Sequence, residues 1–157
     1  MAWTLHYTLM NATFETPFTA LSAAHPDAVN GAIAVPAHAR LPGVPSHLAR
    51  ASLGWTSRDG FSVGADLVAQ SGQFLRGDEA NRLAPVPGYA VVNGRIAYQV
   101  FEPFTVVALV NNLFDARYGT FGVLGDATGV LGPDFRSPRF LGPGAPRGVW
   151  LGIEYRR

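Results

Sequence analysis

Val110-Asn111-Asn112-Leu113-Phe114-Asp115-Ala116-Arg117-Tyr118 is the stretch on which the reading of this chain turns. It closes an apolar, β-prone run that begins at Phe104, and it opens a long glycine-rich loop. Asn112 and Asp115 are expected to end the strand, because Asx side chains cap the turn that follows. Phe114 and Tyr118 are expected to pack at the rim, with Leu113 between strand and turn. Working outward, five further segments alternate apolar and polar residues with a period of two, the mark of strands with two unlike faces. They run from about Trp3 to Phe14, His47 to Thr56, Phe61 to Phe74, Tyr89 to Phe101 and Gly148 to Tyr155. The segment Phe104 to Leu113 makes the sixth and is apolar on both faces.

These lengths are near the roughly 9–11 residues with which a tilted strand crosses a bilayer. Several apolar faces end in aromatic residues, namely Trp3, Trp55, Phe61, Tyr98 and Tyr155. Such rings favour a membrane–water interface, where one end is apolar and the other wet. In five of the six segments charge is confined to the opposite face. A charge on a lipid-facing side would cost about 2–4 kcal/mol at mid-bilayer. A polar lumen would solvate Arg50, Asp66 and Arg95. Alternation alone fits a soluble antiparallel sheet as well, since its inner face has the same pattern.

The connections discriminate further. Ser57-Arg58-Asp59-Gly60 and Glu102-Pro103 are short turns. Roughly thirty residues separate the first pair of segments, about a dozen the third and fourth, and roughly thirty the last pair. Long and short therefore alternate, as in an up-and-down barrel with short periplasmic turns and long outer loops. Segments one, three and five then run outward, and the C-terminus lies in the periplasm. The loops are rich in Pro and Gly (Leu41 to Pro45, Pro85 to Gly88, Gly132 to Pro146), which punctuate structure.

Composition bounds the alternatives. The chain has 157 residues and 15% charged residues, against about a quarter in soluble domains. A net charge of +1 gives no basic field for nucleic acid. All twelve basic residues are arginine, a pattern of GC-rich codon usage. The lack of cysteine excludes disulfides, thiolate metal sites and a cysteine nucleophile. No run of about 18 apolar residues forms a helical span. Met1 to His6 carries no basic leader region, so the chain is expected to be the tail of a longer protein or a truncated gene product.

No chemistry of an enzyme is assembled. Ser46, His47 and Asp66 lack a Gly-x-Ser-x-Gly elbow. Gly119 through Gly129 lacks a phosphate-loop lysine and a following helix-forming run. Arg76, Asp78 and Glu79 are expected to form a solvated surface loop, because one acidic pair supplies too few oxygens for calcium. His25, His38 and His47 lack paired zinc-ligand spacing. The chain is expected to have no catalytic residues, no metal site and no cofactor.

Several signatures together resemble the C-terminal part of TonB-dependent outer-membrane receptors. They are Leu41-Pro-Gly-Val-Pro-Ser-His47, Arg76-Gly-Asp-Glu-Ala-Asn81 with Val86-Pro-Gly-Tyr89, Asn112-Leu-Phe-Asp115 with Tyr118, and Pro146-Arg147 before the last segment. The resemblance spans about Trp3 to Tyr155. It implies an all-β fold, an antiparallel meander of about six strands taken from a 22-stranded transmembrane barrel. On this reading residues 1–157 are a C-terminal barrel segment without the plug domain or the TonB box. The implied function is TonB-dependent uptake of a scarce nutrient, such as a ferric siderophore, across the outer membrane of a Gram-negative bacterium. The implied partners are membrane lipid, the remainder of the barrel and plug, the TonB complex through that plug, and a small ligand such as a ferric chelate, with ligand contacts implied for the long loops near residues 15–45, 77–88 and 115–147 and for lumen-facing Arg50, Asp66, Asn93 and Arg95. Family members usually end in Phe; here Tyr155-Arg156-Arg157 places Arg157 at that position. A soluble β-sandwich binding module of carbohydrate type, and a non-functional receptor gene fragment, are the rival readings.

Overall fold

The computed structural model of the protein describes residues 1–135 and 137–156, so Arg157 lies outside the described residues. Along the chain these form β1 (Ala2–Leu9), β2 (Phe18–Leu21), β3 (Ala32–Val35), β4 (His47–Thr56), β5 (Phe61–Gln70), β6 (Tyr89–Phe101), β7 (Phe104–Asn111), β8 (Gly119–Leu124), α1 (Thr128–Leu131), β9 (Arg139–Pro143) and β10 (Gly148–Tyr155). The six alternating segments become one antiparallel sheet in the order β1-β4-β5-β6-β7-β10. Neighbours in this sheet are also consecutive among the long strands, so the topology is an up-and-down meander. Its two edges do not meet, and the sheet is an open arc.

Three strands stop earlier than alternation indicates, at Leu9, Gln70 and Asn111. Beyond those points the ladder breaks into isolated bridges, Thr13 with Arg40 and Gln73 with Val86. At the end of β7 the break has a local cause. Asn112 takes a left-handed φ of 51°, which reverses the chain.

Register gives one face of the sheet a single, uncharged character and leaves the charged residues to the other. Trp3, Leu53, Ala65, Gly94, Val110 and Val149 align across all six strands, and the rows on either side of them on this face are equally apolar. No Asp, Glu or Arg occurs on this face, yet Leu5, Leu53, Leu67, Ile96, Leu151 and Ile153 are exposed. No second sheet and no helix covers it among the described residues, which removes the sandwich alternative. Apart from Tyr7, which stacks on His47 at the cap end, the aromatic residues of this face gather at one end. Trp55 and Phe61 pack edge-on at 6.2 Å, and Phe104 packs against Phe101 at 5.2 Å and Tyr155 at 5.4 Å. Tyr98 pairs with Phe61, and Trp3 lies at the start of β1. All belong to the end of the sheet that carries the short turns. There Gly60, at φ 78°, supplies the left-handed residue that lets β4 turn into β5.

The long connections carry structure of their own. The first contains the β2–β3 hairpin and the third the β8–β9 hairpin. Ile33, Val35, Ala39 and Ala80 form one small buried cluster, and Leu75, Val86 and Leu124 another. Each joins residues of different loops, so the three connections pack as one cap over one end of the sheet. Gly122 marks how close they come: a Cβ there would lie 2.7 Å from Val86 and 2.9 Å from Leu75. α1 is a single turn that follows Gly125-Asp126, where no helix is foreseen from sequence.

Candidate functional site

The polar face of the sheet is built from the alternate residues of the same six strands. Counting from the cap, one row is Thr8, Leu48, Gln70 and Tyr89, and the next is His6, Arg50, Val68 and Val91. The third is Thr4, Ser52, Asp66 and Asn93, and the fourth runs from Ala2 through Gly54, Gly64, Arg95 and Leu109 to Trp150. Arg50, Asp66, Asn93 and Arg95 therefore share one face within three successive rows, as alternation requires.

Their bonding sets them apart from one another. Arg95 reaches Glu154 Oε1 at 3.1 Å, crossing β7 above Val107, which is 5% exposed. Val107 is thus covered although it lies on the polar side of a strand that reads as apolar on both faces. Asp66 accepts the Ser52 hydroxyl proton at 2.6 Å. Asn93 Oδ1 accepts the Asn112 N–H at 3.0 Å. Arg50 is exposed and makes no hydrogen bond or ion pair among the described residues. It lines a cleft of about 270 Å³ together with His6, Gln70 and Tyr89. The Tyr89 ring lies 4.3 Å from that of Tyr118 in the cap. Arg117 and Tyr118 line an adjoining cleft of about 320 Å³ with Pro87 and Gly88.

The Asn-Leu-Phe-Asp stretch is a clamp between the two ends of the third long connection. Asn112 is 2% exposed; its Oδ1 accepts Ala116 N–H at 2.8 Å, and its Nδ2 donates to Ala116 O at 2.9 Å and Ala145 O at 3.0 Å. Asp115 Oδ1 accepts the Arg147 N–H at 3.2 Å, directly before β10. Leu113 donates its N–H to Val92 O, Phe114 is exposed, and Tyr118 lies against Gly144.

One expectation is overturned in the cap. Asp78, placed by sequence in a solvated loop, is wholly buried, and so is His25. Asp78 accepts the N–H groups of Arg82 and Leu83, each at 2.9 Å. Asp27 donates its N–H to His25 Nδ1 at 3.0 Å, so the proton resides on Nε2, which donates to Asp78 Oδ1 at 3.2 Å. A buried carboxylate is stable when its lone pairs are filled in this way. Sequence carried no signal of the pair, because 53 residues separate its members. Ser22, which donates to Gly77 O at 2.6 Å, and Asn81, which exchanges bonds with the Arg40 backbone, tie the same loops together.

Ser46, His47 and Asp66 are not brought together: His47 Nδ1 bonds the Tyr7 hydroxyl at 2.7 Å, while Asp66 bonds Ser52. Among the described residues no three metal-ligating side chains converge. Asp126 is held below the usual carboxylate value by the backbone N–H of Thr128, with the Thr128 side chain adding to the effect. What the polar face can do chemically is bind, with a guanidinium, an imidazole, a carboxamide and phenols presented side by side.

Comparison with known proteins gives a consistent picture. The family model described as "TonB dependent receptor-like, beta-barrel" matches residues 2–113. The ferric-pyoverdine receptor PbuA of a Pseudomonas species is 36% identical over 86 residues, covering 52% of this chain and 10% of that protein. The siderophore receptor PiuA of Acinetobacter baumannii superposes with a TM-score of 0.63 at 19% identity, over 82% of this chain and 16% of that one. The ferric-catecholate import receptor Fiu of E. coli superposes with a TM-score of 0.63 at 23% identity, over 97% of this chain and 18% of that one. At these identities the two structures establish the fold alone. This chain spans about a tenth of the curated relative's length and under a fifth of each solved receptor.

Proposed function

The chain belongs to the TonB-dependent receptor β-barrel family, a family of outer-membrane transport receptors, and we propose that it forms the C-terminal wall of such a receptor and serves the uptake of a ferric siderophore. The observation that carries this is the division of one sheet into two faces. One face has no charged side chain and ends in an aromatic belt; the other carries Arg50, Asp66, Arg95, Glu154 and His6. Hydrocarbon covers the first face and water the second. The charged residues would otherwise cost about 2–4 kcal/mol each at mid-bilayer.

In this reading the short turns and the aromatic belt lie at the periplasmic rim, and the cap of three connections lies outside the cell. Arg50, Asp66, Asn93 and Arg95 face the lumen and line the route of the ligand. Trp3, Trp55, Phe61, Tyr98 and Tyr155 sit at the membrane boundary. The remainder of the barrel covers the free edges of β1 and β10, and the plug couples the assembly to the TonB complex. The role is transport, with no catalytic step.

The test is uptake of radioactive iron(III) siderophore by iron-starved Gram-negative cells expressing the protein. Uptake is expected to require the chain and to vanish when TonB is deleted. Uptake that survives loss of TonB, or recovery of the chain in the periplasmic fraction, contradicts the proposal.

A further inference from the structure

The uncharged face of the sheet is not smooth. A groove of about 270 Å³ indents it near mid-height. Gly94 lies at its floor, with Val63, Ile96, Ala108, Val110 and Leu113 around it. Asn93 and Arg95, on either side of Gly94 in the chain, belong to the opposite face, where they bond Asn112 N–H and Glu154. A Cβ at Gly94 would meet no heavy atom within 4 Å, and the residue has no left-handed φ. Neither close packing nor a turn therefore requires glycine here. Glycine inside a strand weakens a sheet and marks places where another group approaches closely. What approaches is narrow. An α-helix, about 10–12 Å across with its side chains, is too broad to enter a notch bounded by β5 and β7, about 9–10 Å apart across β6. A single acyl chain fits.

The cap end of the groove adds a polar contact. Leu113 stands at that end, its N–H bonded to Val92 O. Arg147 lies at the rim beyond it, two residues before Val149, the β10 member of the Gly94 row. The Arg147 guanidinium makes no hydrogen bond among the described residues, and Asp115, the acid that faces it, is 4.0 Å away. Both side chains are half exposed, and an exposed pair of that length is weak. Tyr7 and His47, bonded to each other on the same face, mark the same rim on β1 and β4.

We propose that the groove holds one acyl chain of an anionic, phosphate-bearing lipid whose headgroup phosphate meets Arg147. This deepens the membrane reading above and rests on it. The guanidinium fork matches phosphate oxygens and competes with Asp115 for them. The chain gains dispersion contacts in the groove that a smooth wall does not offer. A lipid with the same chains and no phosphate leaves Arg147 unmatched, and free phosphate leaves the groove unfilled.

The experiment is native mass spectrometry of the membrane-embedded protein released from phosphatidylcholine nanodiscs. The nanodiscs are doped in turn with phosphatidylglycerol, with diacylglycerol of the same chains, and with inorganic phosphate in the buffer. The wild type is expected to retain one phosphatidylglycerol and neither of the other probes. Gly94→Leu fills the groove without a backbone clash and is expected to abolish retention. Gly152→Leu places the same side chain in equally open space on the other face and is expected to leave retention unchanged. Arg147→Gln is expected to lower the preference for phosphatidylglycerol over phosphatidylcholine by about fivefold, the effect of one basic residue at a membrane surface. Heat-modifiable gel mobility verifies that each variant is folded. A folded Gly94→Leu protein that retains the lipid as the wild type does overturns the groove. An unchanged preference in Arg147→Gln, or equal retention of diacylglycerol, overturns the headgroup contact. A second copy of the chain, released by Gly94→Leu, overturns the lipid as occupant. A wild type that enters the membrane and retains no lipid overturns the proposal and leaves the membrane reading intact. Recovery of the wild type outside the membrane overturns both.

Discussion

At the scale of single residues, Asn112 shows how much structure one side chain can hold. A left-handed φ of 51° is unfavourable for most residues, and Asn tolerates it because its short amide bonds locally. Two of the three bonds from that amide close the turn onto Ala116, and the third, to Ala145 O, fastens the exit of β7 to the approach of β10. Asn112→Ala is expected to cost about 2–3 kcal/mol, the sum of strain and unsatisfied buried groups. Asn112→Gly restores the backbone but not the bonds, so it should recover only part of this in denaturant melts of the detergent-folded protein. Asp78 is the comparable residue of the cap. Asp78→Ala strands two backbone N–H groups and the His25 Nε2–H. Hydrogen exchange at Arg82 and Leu83 is expected to speed by roughly tenfold or more, following a loss above about 1.4 kcal/mol. Asp126 gives the pH-dependent counterpart. Its carboxyl is depressed by the Thr128 N–H, so the stabilisation it adds to α1 is present above the ordinary carboxylate pKa. That contribution fades as pH falls through the lowered value, and exchange at the Thr128 amide should rise there. Asn112 and Asp115 were legible as turn formers because their chemistry is local. Asp78 and His25 were not, because burial depends on which loop lies against which.

At the scale of elements, the strands are what their alternation says they are. β4, β6 and β10 keep the boundaries read from sequence, because a period of two needs no partner to be recognised. The early stops of β1 and β5 were not legible, since the ladder breaks where the neighbouring chain departs into the cap. The two faces also make opposite demands on substitution. Leu67 lies on the uncharged face near the middle of β5, and Ser52 lies on the other face of β4. Leu67→Arg is expected to destabilise the bilayer-folded protein by about 2–4 kcal/mol, whereas Ser52→Arg should change it by less than about 1 kcal/mol. Equal effects in lipid-vesicle unfolding would show that the uncharged face is not the one in contact with hydrocarbon.

At the scale of the whole molecule, six strands form an arc with two bare edges, β1 and β10. Unpaired N–H and C=O groups cannot rest in lipid, so both edges need strand partners. Purified by itself, the chain is expected to require detergent and to run as oligomers in light-scattering chromatography, as its edges pair between copies. A detergent-free monomer would contradict the membrane assignment of the uncharged face. What the sequence by itself determined is the set of six strands, their meander order, the division of their faces and the alternation of short turns with long connections. All of these follow from the two-residue period and from the lengths between segments, which are local quantities. Only the tertiary structure decided that Trp55, Phe61, Tyr98, Phe104 and Tyr155 form one belt, that three Pro- and Gly-rich connections fold into a cap with buried Asp78 and His25, and that Arg95 is engaged by Glu154 while Arg50 has no ion pair among the described residues. Those outcomes depend on inter-strand register and loop packing, which bring together residues as far apart as 59 positions and leave no periodic trace along the chain.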